Sequence, residues 1–263
     1  MGKYITMAPP VTIWWRCLVG LFFLWLYCTW TDISLKVNLK QDGKQYLISS
    51  TLLILHWVTY FYSLHLSSVA IAFITLYTYP AMTTILEPIF LKLKFEKLHL
   101  VLGAIVIVGI AIMSPTIDLS DGNFKGVVFG LFSAFCFAMR NIYSRDLALG
   151  HNGSHLILIQ LIIGAILLLP VVFIFENNNV FLQWEAVVFL GIITTAAGHT
   201  LFVRSFKHFS ITTASLLGSI IPIYGILLAY FFLGEVPETT TIIGGTIILS
   251  TVIFESLRVS RTN

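Results

Sequence analysis

Charge is what this sequence has least of. Asp, Glu, Lys and Arg make up 10% of its 263 residues, against 57% apolar residues, and mean hydropathy is +0.92. An ordinary soluble domain is about 25% charged, so the composition excludes one and points to a chain that lives in lipid. Cysteine is also scarce. Cys17, Cys28 and Cys136 all fall inside apolar runs, which excludes a disulfide framework or a thiolate metal cluster and leaves three small buried hydrophobes. The N-terminal MGKYITMAPP lacks the basic, apolar and small-residue regions of a cleavable signal peptide, so Met1 is expected to be retained. There is no Walker sequence, HExxH or CxxC. No cofactor and no metal are therefore expected, ATP is not an evident driver, and nothing points to nucleic acid.

What is present is a series of apolar runs of membrane-spanning length. They lie at about Val11 to Trp30, Leu47 to Leu64, Val69 to Leu91, Leu98 to Met113, Gly126 to Tyr143, Leu156 to Phe175, Ala186 to Val203, Ile211 to Leu233 and Thr239 to Leu257. The expected fold class is all-α, a polytopic membrane helix bundle. Basic residues accumulate in alternate loops: Lys36, Lys40 and Lys44; Lys92, Lys94 and Lys97; Arg140 and Arg145; Arg204 and Lys207; Arg258 and Arg261. Lys3, Lys125 and Arg16 are on the other side, with most of the loop carboxylates. Because cytoplasmic loops collect Lys and Arg, the C-terminus is expected in the cytoplasm and Arg16 near an outer helix end.

Two stretches nearly repeat one another: SLHLSSVAIAFITLYTYP, ending at Pro80, and SFKHFSITTASLLGSIIP, ending at Pro222. The shared serine, the run of Ser, Thr and small apolar residues and the mid-helix proline imply a duplicated hairpin, divided into repeats 1–116 and 117–263. The second repeat has five predicted helices and the first has four. An odd number of helices per complete repeat makes the copies enter the membrane from opposite faces, an inverted repeat. A ten-helix plan with its first span missing is the expectation, along with a true start codon upstream of Met1 or a truncated gene.

This pattern resembles the EamA-type members of the drug/metabolite transporter superfamily. The matching residues are SLHLSSVAIAF leading to YPAMTTILEP, SFKHFSITTASLLGSIIP followed by FFLGE ending at Glu235, the glycine-rich last helix with Gly244 and Gly245, and PPVTIWWR. The first repeat departs from the pattern at LKLKFE, ending at Glu96. The resemblance implies a ten-helix inverted repeat that exports amino acids, other small metabolites or drugs, and it does not name the solute.

Several residues are candidates to carry transport. Pro80 and Pro222 each remove a backbone hydrogen bond where lipid offers no substitute, so they read either as structural kinks or as hinges near the site. Thr75, Tyr79, Thr83 and Glu87 recur every four residues and form one polar helix face. Polar faces within a membrane look into a bundle or a water-filled path, and Glu87 reads either as a proton- or cation-coupling carboxylate or as a snorkelling residue near Lys92. His56, Trp57 and Tyr60 sit at mid-helix, and His199 takes nearly the equivalent place in the second repeat. They read as packing residues or as the lining of a common cavity, where a histidine couples to protons. Tyr77, Tyr79, Ser219 and Tyr224 flank the prolines and suit amphipathic solutes. Arg140, Asn141 and Arg204 read as topology anchors near helix ends, with substrate-carboxylate binding as the alternative. Gly126, Gly130, Ala134 and Ala138 form a packing stripe.

The expected function is secondary transport of a small-molecule solute by alternating access, with a proton as coupling ion, from the bacterial cytoplasmic membrane outward. The alternatives are a transport-inactive scaffold and a membrane-embedded enzyme, which would need an acid/base cluster that the loops lack. Oligomeric state is not legible.

Overall fold

Each predicted apolar run is helical over most of its described residues. The computed structural model describes residues 2–92, 98–113, 118, 120–175, 180–211, 213–214, 218 and 221–262, so Ser219 and the LKLKFE segment lie outside the described residues, apart from Leu91 and Lys92. The fold is all-α, and no strand occurs among the described residues. Among the described residues, six helical stretches are long and apolar enough to cross a membrane: Pro9–Trp30, Leu39–Leu66, Val69–Leu91, Gly122–Gly150, Gly153–Ile174 and Trp184–Ser205. Leu98–Met113, Ile221–Leu233 and Thr239–Glu255 are shorter apolar helices.

In chain order the helices are α1 (Pro9–Trp30), α2 (Leu39–Leu66), α3 (Val69–Leu76), α4 (Tyr79–Leu91), α5 (Leu98–Met113), α6 (Gly122–Gly150), α7 (Gly153–Leu168) and α8 (Val171–Ile174). Then come α9 (Trp184–Phe189), a π-helical stretch (Leu190–His199), α10 (Thr200–Ser205), α11 (Ile221–Leu233) and α12 (Thr239–Thr262). Their ends follow local chemistry. Pro9 and Pro10 open α1, where a missing N–H costs nothing. The side chains of Ser68 and Asn152 accept from the Ile71 and Ser154 N–H groups and cap α3 and α7. Gly234, at φ +67°, closes α11 in the left-handed region that favours glycine.

The helices gather into two compact units. One comprises Met1–Val58 with Tyr143–Phe209, the other Thr59–Ile142 with Ser210–Asn263. In the first, α1 packs against α7 and the π-helical stretch, and the backbones come close where Gly20 meets Gly191. A Cβ on Gly20 would come within 3.3 Å of the Gly191 carbonyl. In the second, α5 packs along α12 and α3 against α11, around a core of Ile71, Ile74, Val106, Met113, Val127 and Ile248. Gly109 and Gly244 let α5 and α12 touch backbone to backbone, since a Cβ on Gly109 would lie 2.9 Å from the Gly244 carbonyl. The predicted packing stripe on α6 behaves as expected: Gly126 and Gly130 receive Ser63, Ser67 and Thr75, while Ala134 and Ala138 are fully buried.

Pro80 does something different from the expected mid-helix kink. The span Val69–Leu91 is broken at Tyr77 and Thr78, and Pro80 is the second residue of the helix that restarts. Proline tolerates a first turn, where its absent N–H would be unpaired anyway, so it starts a new helix more cheaply than it bends an old one. Pro222 lies in α11, and the residues just before Ile221 are outside the described residues. At the Pro80 break, the Thr75 carbonyl accepts from the Thr78 N–H at 3.2 Å and from the Thr78 hydroxyl at 2.7 Å, so it stays paired where lipid offers no partner.

Candidate functional site

The second unit brings the Pro80 break close to the segment that precedes Pro222. Tyr79, immediately before Pro80, turns its hydroxyl toward Gly218, four residues before Pro222; a Cβ there would sit 3.0 Å from the phenolic oxygen. Around this point runs a chain of aromatic rings. Tyr60 meets Phe73 at 6.0 Å, Phe73 meets Tyr77 at 6.3 Å, Tyr77 meets Tyr79 at 5.6 Å, and Tyr79 meets Phe137 of α6 edge-on at 4.7 Å. Three of the tyrosines named from sequence thus join one wall, with Phe73 and Phe137 added by the fold. Pro80 and Pro222 are both buried. Tyr224 remains outside the aromatic chain, 59% exposed.

The polar face predicted along Thr75, Tyr79, Thr83 and Glu87 is buried at every position. The Thr75 and Thr83 hydroxyls donate to the Ile71 and Tyr79 carbonyls four residues back, which satisfies their protons locally and leaves oxygen lone pairs outward. Glu87 continues the face as a buried carboxylate, while Lys92 caps α4 in a left-handed conformation.

In the first unit a cation stack forms. Trp57 is fully buried and donates its indole N–H to His199 Nε2 at 3.3 Å, with the rings edge-on at 5.1 Å. Accepting at Nε2 places the neutral imidazole proton on Nδ1. The Arg16 guanidinium lies 4.1 Å above the Trp57 ring, a cation–π contact. Its Nε and Nη2 donate to the hydroxyls of Thr195 and Thr194, at 2.5 and 3.2 Å. Both hydroxyls in turn donate to the Leu190 carbonyl, at 2.7 Å from Thr194 and 2.9 Å from Thr195. The second bond spans five residues, the spacing that a π turn provides, and it aims two oxygen lone pairs at the guanidinium. The glycine pair Gly20 and Gly191, one turn from Arg16, allows this approach.

Arg16, expected near an outer helix end, is buried among these partners. His199, expected at nearly the place of His56, bonds Trp57 instead: the two are 142 residues apart, the separation of Pro80 and Pro222. His56 is buried beside Trp57 on α2.

Arg140 and Asn141 are not at a helix end. Both are fully buried inside α6, and the ten residues from Arg140 to Gly150 put the guanidinium about 15 Å from the end of the helix. Arg140 Nη1 donates to Asn141 Oδ1 at 3.2 Å. Arg204 does lie at the end of α10, where Nη2 donates to Ser154 Oγ at 3.2 Å and Asn152 Oδ1 at 3.4 Å.

The EamA-like transporter family matches residues 1–114 and again 124–257. An uncharacterized transporter of Archaeoglobus fulgidus is 26% identical over 74% of this chain and 70% of its own length. The pseudopaline exporter CntI of Pseudomonas aeruginosa is 22% identical over 93% of this chain and 84% of its own. A crystal structure aligns with a TM-score of 0.72 at 16% identity, over 97% of this chain and 90% of the other, which establishes a common fold.

Proposed function

The chain belongs to the EamA-like transporter family, and from that premise we propose that it exports a small organic solute by alternating access. The observation that carries the reading is the approach of the Pro80 break to the segment before Pro222, with the Tyr79 hydroxyl against Gly218 and the aromatic wall Tyr60, Phe73, Tyr77, Tyr79 and Phe137 beside it. Interrupted spans mark the central site of a transporter, and tyrosine rings suit a solute with both apolar and polar parts. The bond between Trp57 and His199, 142 residues apart, supports two repeats that exchange conformations. Glu87 and His56 are the groups we assign to proton coupling, and the basic residues of alternate loops support a cytoplasmic C-terminus in a bacterial plasma membrane.

Untargeted metabolite profiling of medium from producing cells, against cells without the protein, tests the assignment. One or more solutes should accumulate outside and fall inside without a new product appearing, and Tyr79→Ala should abolish that change. Unchanged profiles would sink the transport reading. For coupling, Glu87→Gln and His56→Gln are assayed across pH; full pH-dependent export in both removes them as proton carriers.

A further inference from the structure

Asn141 has a donor with nowhere to go. Its amide Nδ2 is completely buried and has no hydrogen-bond partner. The orientation is not arbitrary, because Arg140 Nη1 donates to Oδ1; flipping the amide would set two donors against each other. A buried amide nitrogen without an acceptor is rare in native proteins and calls for an explanation. Beside it is a guanidinium held within a membrane helix, where a charge is retained at a cost and marks a functional path. Donors from two neighbouring side chains thus occupy one place, and a planar oxyanion is the group that a guanidinium and an amide N–H recognise together.

The same helix face carries the aromatic wall. Phe137 precedes Arg140 by three residues and Asn141 by four, the spacings that share a helix face, and its ring packs on Tyr79. We propose that Arg140 and Asn141 form the anion end of the solute site, and that the solute is an organic carboxylate whose apolar part lies on Phe137 and Tyr79. This deepens the transport reading and rests on it for the word solute. The carboxylate accepts from the guanidinium and from Asn141 Nδ2, giving the amide the acceptor it lacks.

The test uses purified full-length protein in detergent, with benzoate and benzamide as probes of matched shape and different charge. Benzoate should raise the melting temperature of the wild type in a saturable way, and benzamide should not. Arg140→Gln should weaken the benzoate midpoint roughly 10- to 100-fold, as expected for losing a charged hydrogen bond. Asn141→Asp is the sharper variant. It places a carboxylate permanently beside Arg140, so it should melt higher than wild type without any probe and no longer respond to benzoate. Equal shifts from benzamide, or a wild-type benzoate response retained in Asn141→Asp, would overturn the assignment; so would no response in the wild type.

Export profiling separates the two readings. If cells export only solutes without an anionic group, the carboxylate site is wrong and transport stands. If benzoate binding depends on Arg140 while nothing is exported, the site stands and the transport reading falls.

Discussion

Replacing Trp57 and His199 by Phe, singly and together, tests whether their contact is energetic or merely adjacent. Trp57→Phe deletes the indole donor, removing the 3.3 Å bond to His199, worth about 0.5–1.5 kcal/mol net. It also replaces the best cation–π ring under Arg16 with a weaker one, a further loss of up to about 1 kcal/mol for a desolvated contact. The smaller ring leaves part of a fully buried indole volume unfilled, for about another 1 kcal/mol. The single variant should therefore lose about 1.5–3.5 kcal/mol. His199→Phe keeps an edge-on ring pair but loses the acceptor, for about 1–2 kcal/mol. Because the bond can be lost only once, the double variant should fall short of the sum by about 1 kcal/mol. Tyr46→Phe is the control. Eleven residues from Trp57 on α2, it is about 16 Å away, and should combine additively within about 0.5 kcal/mol. The assay is equilibrium unfolding in mixed micelles. Additivity of Trp57→Phe with His199→Phe, to within about 0.3 kcal/mol, would refute the argument.

Gly244→Ala should lower stability by about 1–3 kcal/mol, since its Cβ would run into the Gly109 carbonyl and lie 3.0 Å from Met113; Gly103→Ala, whose Cβ meets only the end of Ile85 at 3.3 Å, should be near neutral in the same melting experiment. Glu235→Ala should cost about 1 kcal/mol, because its carboxylate accepts from the Val69 N–H at 2.8 Å at the start of α3; amide exchange should speed up selectively at residues 69–72. Glu255→Ala should cost roughly 3 kcal/mol: its carboxylate, nearly buried, receives Arg258 at 2.7 and 2.8 Å and faces His99 at 3.1 Å, and its loss would leave the Arg258 guanidinium without that carboxylate.

Membrane class and the apolar runs were legible because each is a property of composition or period. The side chains that reach across the fold were not. Arg16 and Arg140 were both counted as loop-type cations, since a charge count treats every Lys or Arg near an apolar boundary alike. What buries Arg16 are Thr194 and Thr195, more than 170 residues away, and a π-helical stretch that no propensity reveals. Arg140 and Asn141 were legible as anchors or carboxylate binders, but the orphaned nitrogen that favours the second reading needs coordinates. One omission was avoidable. The spacing of Pro80 and Pro222, carried along the chain, lands on Trp57 and His199 and skips His56. A mid-helix kink is expected of Pro80 because proline in a span suggests bending, whereas a first-turn position satisfies its ring geometry and missing N–H at once.

The same spacing explains why the compact units cut across the repeats. Shifted by 142 residues, the separation of Trp57 and His199, residues 1–58 become 143–200, which falls inside the other stretch of the same unit. Helices at this spacing pack on each other, α1 on α7 and α5 on α12. Gly109 and Gly244 let the backbones of α5 and α12 meet. The positions 142 residues from them are Thr251 and Leu102, which with Glu255 border a void of about 10 Å³. Helix separation follows side-chain size at the contact, so the glycine pair sets the close approach of α5 and α12. Beyond it, Arg258 and Glu255 pair along α12 and His99 of α5 reaches both.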